Sequence, residues 1–173
     1  MTDIAASFRV PRWNELPNIE LYMDQLIRFV NNNFEPVAEE LGLQPLTKSM
    51  INNYVKARIV DAPVNKQYST LSLAMVIVVY LVKTCYTTED AGKLIRLGIG
   101  LDDTPLAYDR FCEAMEKAVS AVFSGEVCIR NEVIPGRENK YLMDNFAQSI
   151  ASKFFVRSTF CNRKEPAGEE ELY

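Results

Sequence analysis

The chain has 173 residues, 48% of them hydrophobic and 24% charged, with a net charge of −4; that is enough apolar material for a real core, and the acidic balance excludes a wholly basic nucleic-acid coat. Histidine is absent, which removes the commonest metal ligand and the usual general base near neutral pH. Cys85, Cys112, Cys128 and Cys161 form no C-x-x-C pair, which excludes a zinc knuckle and a thioredoxin-like motif, so the thiols read as reduced core residues of a cytoplasmic protein.

The charge is unevenly spread. Between Gln44 and Thr70, Lys48, Lys56, Arg58 and Lys66 stand against Asp61, a local net of +3 that leaves −7 for the remainder. A positive patch on an acidic body can still neutralise phosphates, because screening makes the nearest charges count most.

In chain order, 1–17 reads as an N-terminal arm anchored by Trp13. Met1–Phe8 lacks the basic-then-apolar pattern of a signal peptide. Asn18 is placed to cap a first helix over Ile19–Asn32, where Ile19, Tyr22, Met23, Leu26, Ile27 and Val30 repeat at helical spacing. The run Asn31-Asn32-Asn33 predicts its end. Pro36 then suits the first turn of a short second helix, with Val37 and Leu41 inward and Gly42 as its C-terminal cap.

Thr47 caps the next helix, which runs to Arg58. Met50, Ile51, Tyr54 and Val55 form its apolar stripe; Lys48, Asn52 and Lys56 line up opposite, with Ser49 and Asn53 beside them. Two adjacent asparagines are mediocre helix formers. One explanation is recognition, since Asn can pair with the edge of adenine and Lys with guanine or phosphate; the other is an inert, solvated face. The piece 60–68 is long enough only for a small hairpin or extended loop, a wing beside the helix, with Pro63 on an edge, Asn65 as turn former and Lys66 as its charge.

Ser69 caps a helix to Lys83 that is apolar nearly all round and therefore central. Its apolar run, Leu71–Val82, is too short to cross a bilayer, which takes about 20 residues, so no membrane partner is expected. Thr87 and Asp90 form a capping box for a helix with Ala91, Leu94 and Ile95 inward, broken at Gly98-Ile99-Gly100. That G-x-G has no preceding strand and no third glycine, so no nucleotide loop and no cofactor are expected. Asp102-Asp103 reads as the cap of the following helix rather than as a metal site, with Pro105 early in it. Leu106, Phe111, Met115, Val119, Val122 and Phe123 define that helix to Gly125. Val127-Cys128-Ile129 and Val133-Ile134 are candidate short strands. Tyr141, Phe146, Ile150 and Phe154 define a last helix to about Ser158, and the end is an acidic tail. No catalytic residue is nominated: Cys112, beside Phe111 on an apolar face, reads as an inert thiol.

The pieces Met50-Ile51-Asn52-Asn53-Tyr54, Arg58-Ile59-Val60, Pro63 and Lys66-Gln67-Tyr68-Ser69, followed by an apolar helix and the Thr88-Glu89-Asp90 helix start, resemble a MerR-type winged helix-turn-helix. More closely, Leu16-Pro17-x-Ile19, Leu21-Tyr22-Met23-Asp24-Gln25 and MINNYVK at Met50–Lys56 resemble a bacterial domain-of-unknown-function family whose members are described as regulators. The resemblance covers about residues 10–100. It implies a mainly α fold with a wing, DNA binding and dimers. The wing lacks the arginines that MerR relatives use on phosphates, and no long heptad-patterned helix follows the head.

The chain then divides into the arm at 1–17, a MerR-like winged helix-turn-helix domain at 18–100, a C-terminal helical region at 101–160 for dimerisation or an effector, and the tail at 161–173. Lys48, Ser49, Asn52, Asn53 and Lys56 would enter the major groove of double-stranded DNA, while Arg58 and Lys66 would hold phosphates. The C-terminal helices leave open packing within the monomer, a homodimer, a small-molecule effector or a protein partner. The alternative function is a protein-interaction module on the same scaffold without DNA binding, favoured by the small size of the charge surplus.

Overall fold

The computed structural model describes residues 3–101, 103–126 and 133–162. The fold is mainly helical, with one two-stranded sheet among the described residues. In order come α1 (Ile4–Ser7), β1 (Leu21–Tyr22), α2 (Met23–Leu41), α3 (Lys48–Lys56), β2 (Gln67–Tyr68), α4 (Thr70–Val82), α5 (Thr88–Leu101), α6 (Thr104–Ser124) and α7 (Glu138–Val156). One cluster of buried side chains runs from Ile4 to Phe154.

The first departure from expectation is α2. Asn18 caps no helix: residues 19–22 lie outside α2, and Leu21 and Tyr22 pair antiparallel with Tyr68 and Gln67. The helix starts at Met23, where the Gln25 side chain accepts the Tyr22 N–H at 2.9 Å, and it runs through the asparagine run and Pro36 without a break. Leu26, Val30, Phe34, Val37 and Leu41 make a continuous buried stripe, so burial overrides the local stop signals. Pro36 lies on the exposed side, where the carbonyl it leaves unbonded can reach water. Two of the asparagines serve other segments: Asn31 bonds the Leu46 backbone, and Asn33 donates to Arg9 O at 3.1 Å. Gly42 ends α2 in the left-handed conformation (φ 67°), with its N–H bonded to Glu39 O and that of Leu43 to Ala38 O. Glycine takes this conformation without steric penalty.

The other caps follow the sequence. Thr47 accepts the Met50 N–H, Ser69 accepts the Ser72 N–H, and Thr87 and Asp90 bond each other's backbone. In α4, every residue from Val76 to Val82 is buried, so it is the central helix. A second departure is α5, which continues through Gly98 and Gly100 to Leu101. Interior glycine costs a helix roughly 1 kcal/mol, which packing can offset. At Gly92, a Cβ would lie 3.0 Å from Ile59 Cγ1. A side chain there would push back the segment that follows α3.

Asp103 occupies the N-cap position of α6 without a side-chain bond; Asp102 lies outside the described residues. The helix ends, as expected, at Gly125 (φ 72°). Helices α6 and α7 run side by side in the same direction: Ala107 and Met143 line one pocket near their starts, and the Phe123 and Phe155 rings meet edge-on at 5.4 Å near their ends. Val133 and Ile134 are exposed and form no strand. The Val127-Cys128-Ile129 candidate and the tail from residue 163 lie outside the described residues. Cys112 is buried as expected, and burial pushes its thiol up to about 12. Cys161, expected in the core, is exposed, because it sits in the turn Arg157–Cys161 beyond α7.

The N-terminal arm packs on α6. The Trp13 N–H donates to Asp109 Oδ1 at 2.7 Å, and its ring meets Tyr108 edge-on. Arg12 forks onto Glu116 at 2.9 and 3.1 Å. That pairing holds the guanidinium above its usual range, against an opposing contribution from burial.

Candidate nucleic-acid interface

Helix α3 packs against α2 and α4. Its underside buries Ile51 and Tyr54 and half-buries Met50 and Val55. That anchoring points Lys48, Ser49, Asn52, Asn53 and Lys56 outward, and all five are exposed. Arg58 and Lys66, the two residues predicted to hold phosphates, are exposed as well. The side chains of Ser49, Asn52, Asn53, Lys56, Arg58 and Lys66 make no hydrogen bond or ion pair with any described residue. Lys48 differs: its ammonium meets Asp24 Oδ1 at 2.9 Å. Asp24, in the first turn of α2, therefore brings to this surface an acid that α3 itself does not carry. Both partners are well exposed, so the pair is worth well under about 1 kcal/mol and is easily exchanged.

The end of α3 is unusual. The Arg58 N–H bonds Val55 O at 2.9 Å and the Ile59 N–H bonds Tyr54 O at 3.1 Å. This is the double closure of a helix that normally has glycine at its left-handed position. Arginine holds that position here, at φ 57°.

A few residues on, Val64 and Gln67 exchange two backbone bonds at 2.9 and 3.0 Å. The intervening Asn65 and Lys66 have φ of 51° and 66°. Two successive positive values in a two-residue loop define the tight hairpin turn that prefers Asn-Gly. Asparagine is in its favoured place; lysine stands where glycine fits best. Arg58, Asn65 and Lys66 are the only non-glycine residues with positive φ among the described residues.

The sheet adds a surface that periodicity alone did not reveal. Tyr22 faces Gln67 across the strands, and Val64 bridges to Gln67 from the other side. Tyr22 is 52% and Val64 69% exposed, while Leu21 and Tyr68 are buried beneath. Two-residue strands are too short to show a period of two in sequence, and the helical spacing of Ile19, Tyr22 and Met23 hid the first of them.

Beneath α3, the Tyr54 hydroxyl is buried without a hydrogen-bond partner among the described residues. Burial pushes it up to about 12. The Lys83 ammonium lies 5.4 Å from the centre of its ring, within cation–π range. The neighbouring Tyr80 hydroxyl donates to Gln44 O at 2.8 Å.

A family model described as Domain of unknown function (DUF1836) matches residues 11–111. That span takes in the whole of this surface. No curated protein and no solved structure matches the chain.

Proposed function

We propose that this chain, which belongs to the domain-of-unknown-function family DUF1836, is a cytoplasmic DNA-binding transcriptional regulator with a MerR-like winged helix-turn-helix. In this reading α2, the Gly42–Thr47 turn and α3 form the helix-turn-helix, and the Val64–Gln67 hairpin is the wing. Lys48, Ser49, Asn52, Asn53 and Lys56 read base edges in the major groove, while Arg58 and Lys66 hold phosphates.

One observation carries this reading. Arg58 and Lys66 occupy left-handed positions where glycine is favoured, and they flank a helix face whose amides have no partner among the described residues. Left-handed backbone costs an L-residue on the order of 1 kcal/mol, and strain of this kind concentrates where a side chain is needed for function. Cations also favour a helix C-terminus, but that effect does not extend to Lys66 in the hairpin. The test is mobility of mixed genomic DNA at low salt. Retardation that disappears as salt rises supports the reading, and unretarded DNA contradicts it.

A second reading is a protein-interaction module on the same scaffold. The exposed Tyr22 and Val64 favour it, together with the pairing of Lys48 by Asp24. Its mark is a partner captured through the sheet face and lost in Val64→Glu, with DNA unretarded. Under either reading, exposed Phe155, Val156 and Phe160 at the end of α7 supply apolar surface for a homodimer.

A further inference from the structure

The segment after α7 folds back onto the head. Asn162 Nδ2 donates to Glu40 O at 3.0 Å, and the Arg157 side chain lies against Gly42, where an added Cβ would stand 2.7 Å from its Nε. The sequence beyond Asn162 therefore starts beside the end of α2, where the turn into α3 begins. That turn is tied to the underside of α3: Gln44 O accepts the Tyr80 hydroxyl at 2.8 Å, and Tyr80 neighbours Tyr54. Lys56 and Arg58 follow Tyr54, so they stand at the end of α3 nearer to Asn162. The opposite end is held at the start of α2, where Lys48 meets Asp24. Glu40 is sixteen residues beyond Asp24 in that helix, a distance of about 24 Å at the helical rise.

The charges at the nearer end are one-sided. The exposed side chains of Lys56 and Arg58 have no hydrogen bond or ion pair with any described residue. Lys83 joins them: it is exposed, its ammonium lies 5.4 Å from the centre of the Tyr54 ring, and it meets no acid among the described residues. Of the acids on neighbouring segments, Glu89 pairs with Lys93 and Asp90 bonds Thr87, while Asp61 is exposed three residues past Arg58. The sequence beyond Asn162 is the reverse. From Glu165 to Tyr173 it holds Glu165, Glu169, Glu170 and Glu171 and no lysine or arginine. Glu169–Glu171 come seven to nine residues after Asn162, a reach of about 23 to 32 Å for extended chain, which spans the distance to either end of α3.

We propose that the Glu169–Glu171 segment docks on Lys56, Arg58 and Lys83 of its own chain and occupies cations that phosphates would otherwise take. Each exposed pair is weak, but the short tether keeps the acids at an effective concentration on the order of millimolar. The consequence for DNA rests on the reading of α3 given above; the contact itself does not.

The test compares the full chain with a variant combining Glu169→Gln, Glu170→Gln and Glu171→Gln. In low salt without DNA, the amide resonances of Lys56, Arg58 and Lys83 are expected to differ between the two proteins, while those of Lys117 and Lys140 coincide. The differences are expected to be independent of protein concentration and to vanish near 1 M salt, where screening acts within about 3 Å. Coincident resonances at the three cations, or differences that survive high salt, would overturn the contact. So would differences that fade on dilution, because the acids would then belong to a second copy. On mixed genomic DNA at low salt, the variant is expected to bind about tenfold more tightly than the native chain, the scale of three exposed charge pairs. A control with the same change in net charge, Glu35→Gln, Glu113→Gln and Glu126→Gln at exposed positions, is expected to gain less than about threefold. A gain no larger in the variant than in the control would overturn the masking. Failure of all three proteins to retard DNA, with the resonance differences present, would sink the DNA-binding reading and uphold the contact.

Discussion

The amide of Asn31 closes a ring with the backbone of Leu46: Asn31 Oδ1 accepts the Leu46 N–H at 2.8 Å, and Asn31 Nδ2 donates to Leu46 O at 3.2 Å. A side chain in the middle of α2 thereby does for the turn what a second strand would do, bonding both backbone polar groups of one residue. Leu46 itself is buried, and Thr47, which follows, caps α3. The orientation of α3 on the body is therefore set by an asparagine, not only by its apolar underside.

Asn31→Ala leaves both Leu46 backbone groups without their partner and is expected to lower unfolding free energy by about 1–3 kcal/mol. Asn32, one residue along and exposed, is the control: Asn32→Ala is expected to change stability by less than about 0.5 kcal/mol. Urea unfolding of the two variants separates them. Equal effects would mean that the Leu46 ring is not what holds the turn.

Arg58→Gly and Lys66→Gly each relieve a left-handed L-residue. Each is expected to leave stability unchanged or raise it by up to about 1 kcal/mol, the strain relief being partly offset by the extra freedom glycine gives the unfolded chain. If both are functional cations, the same substitutions weaken DNA binding for all sequences alike. Gain in one property with loss in the other is the signature of strain kept for function. A large loss of stability would show that the side chains are structural.

Tyr54→Phe removes a buried hydroxyl that has no hydrogen-bond partner among the described residues and is expected to stabilise the fold by about 1 kcal/mol. The pH dependence has a definite sign. Tyr54 is pushed up from 10.0 to about 12 by burial, so folding favours its neutral form. Its contribution is complete below pH 10 and is lost as pH rises through about 12, because the unfolded chain releases that proton first. Alkaline unfolding monitored by circular dichroism is expected to shift to higher pH in Tyr54→Phe. Tyr80 is also pushed up to about 12 and keeps part of the transition in place, so a complete loss of the pH dependence is not expected.

What was legible in the sequence was local. Thr47, Ser69 and the Thr87–Asp90 pair cap helices because each bonds a backbone group within three residues; a short window holds all the necessary information. The α3 stripe was readable for the same reason, since Ile51 and Tyr54 repeat within one helix. The failures were non-local. Asn31 and Asn33 look like a stop signal until their partners, Leu46 and Arg9, are known, and Pro36 looks like a start until the buried stripe on both sides of it is seen. The pairing of Leu21 with Tyr68 spans most of the head, and the helical spacing of Ile19, Tyr22 and Met23 hid it. On the candidate surface, composition picked out the cations and amides. It did not show that Arg58 and Lys66 sit in left-handed backbone or that Asp24 reaches Lys48.

The most direct measurement is selection of bound duplexes from random DNA, followed by affinity for the winning sequence across a salt series, with Asn52→Ala and Lys66→Gly alongside the native chain. The expected result is an enriched motif, a cost of roughly 1–3 kcal/mol for Asn52→Ala on that motif alone, and a log–log salt slope shallower by about 0.9 for Lys66→Gly. An absence of any enriched sequence, with both variants indistinguishable from the native chain, would contradict the assignment of this face to DNA.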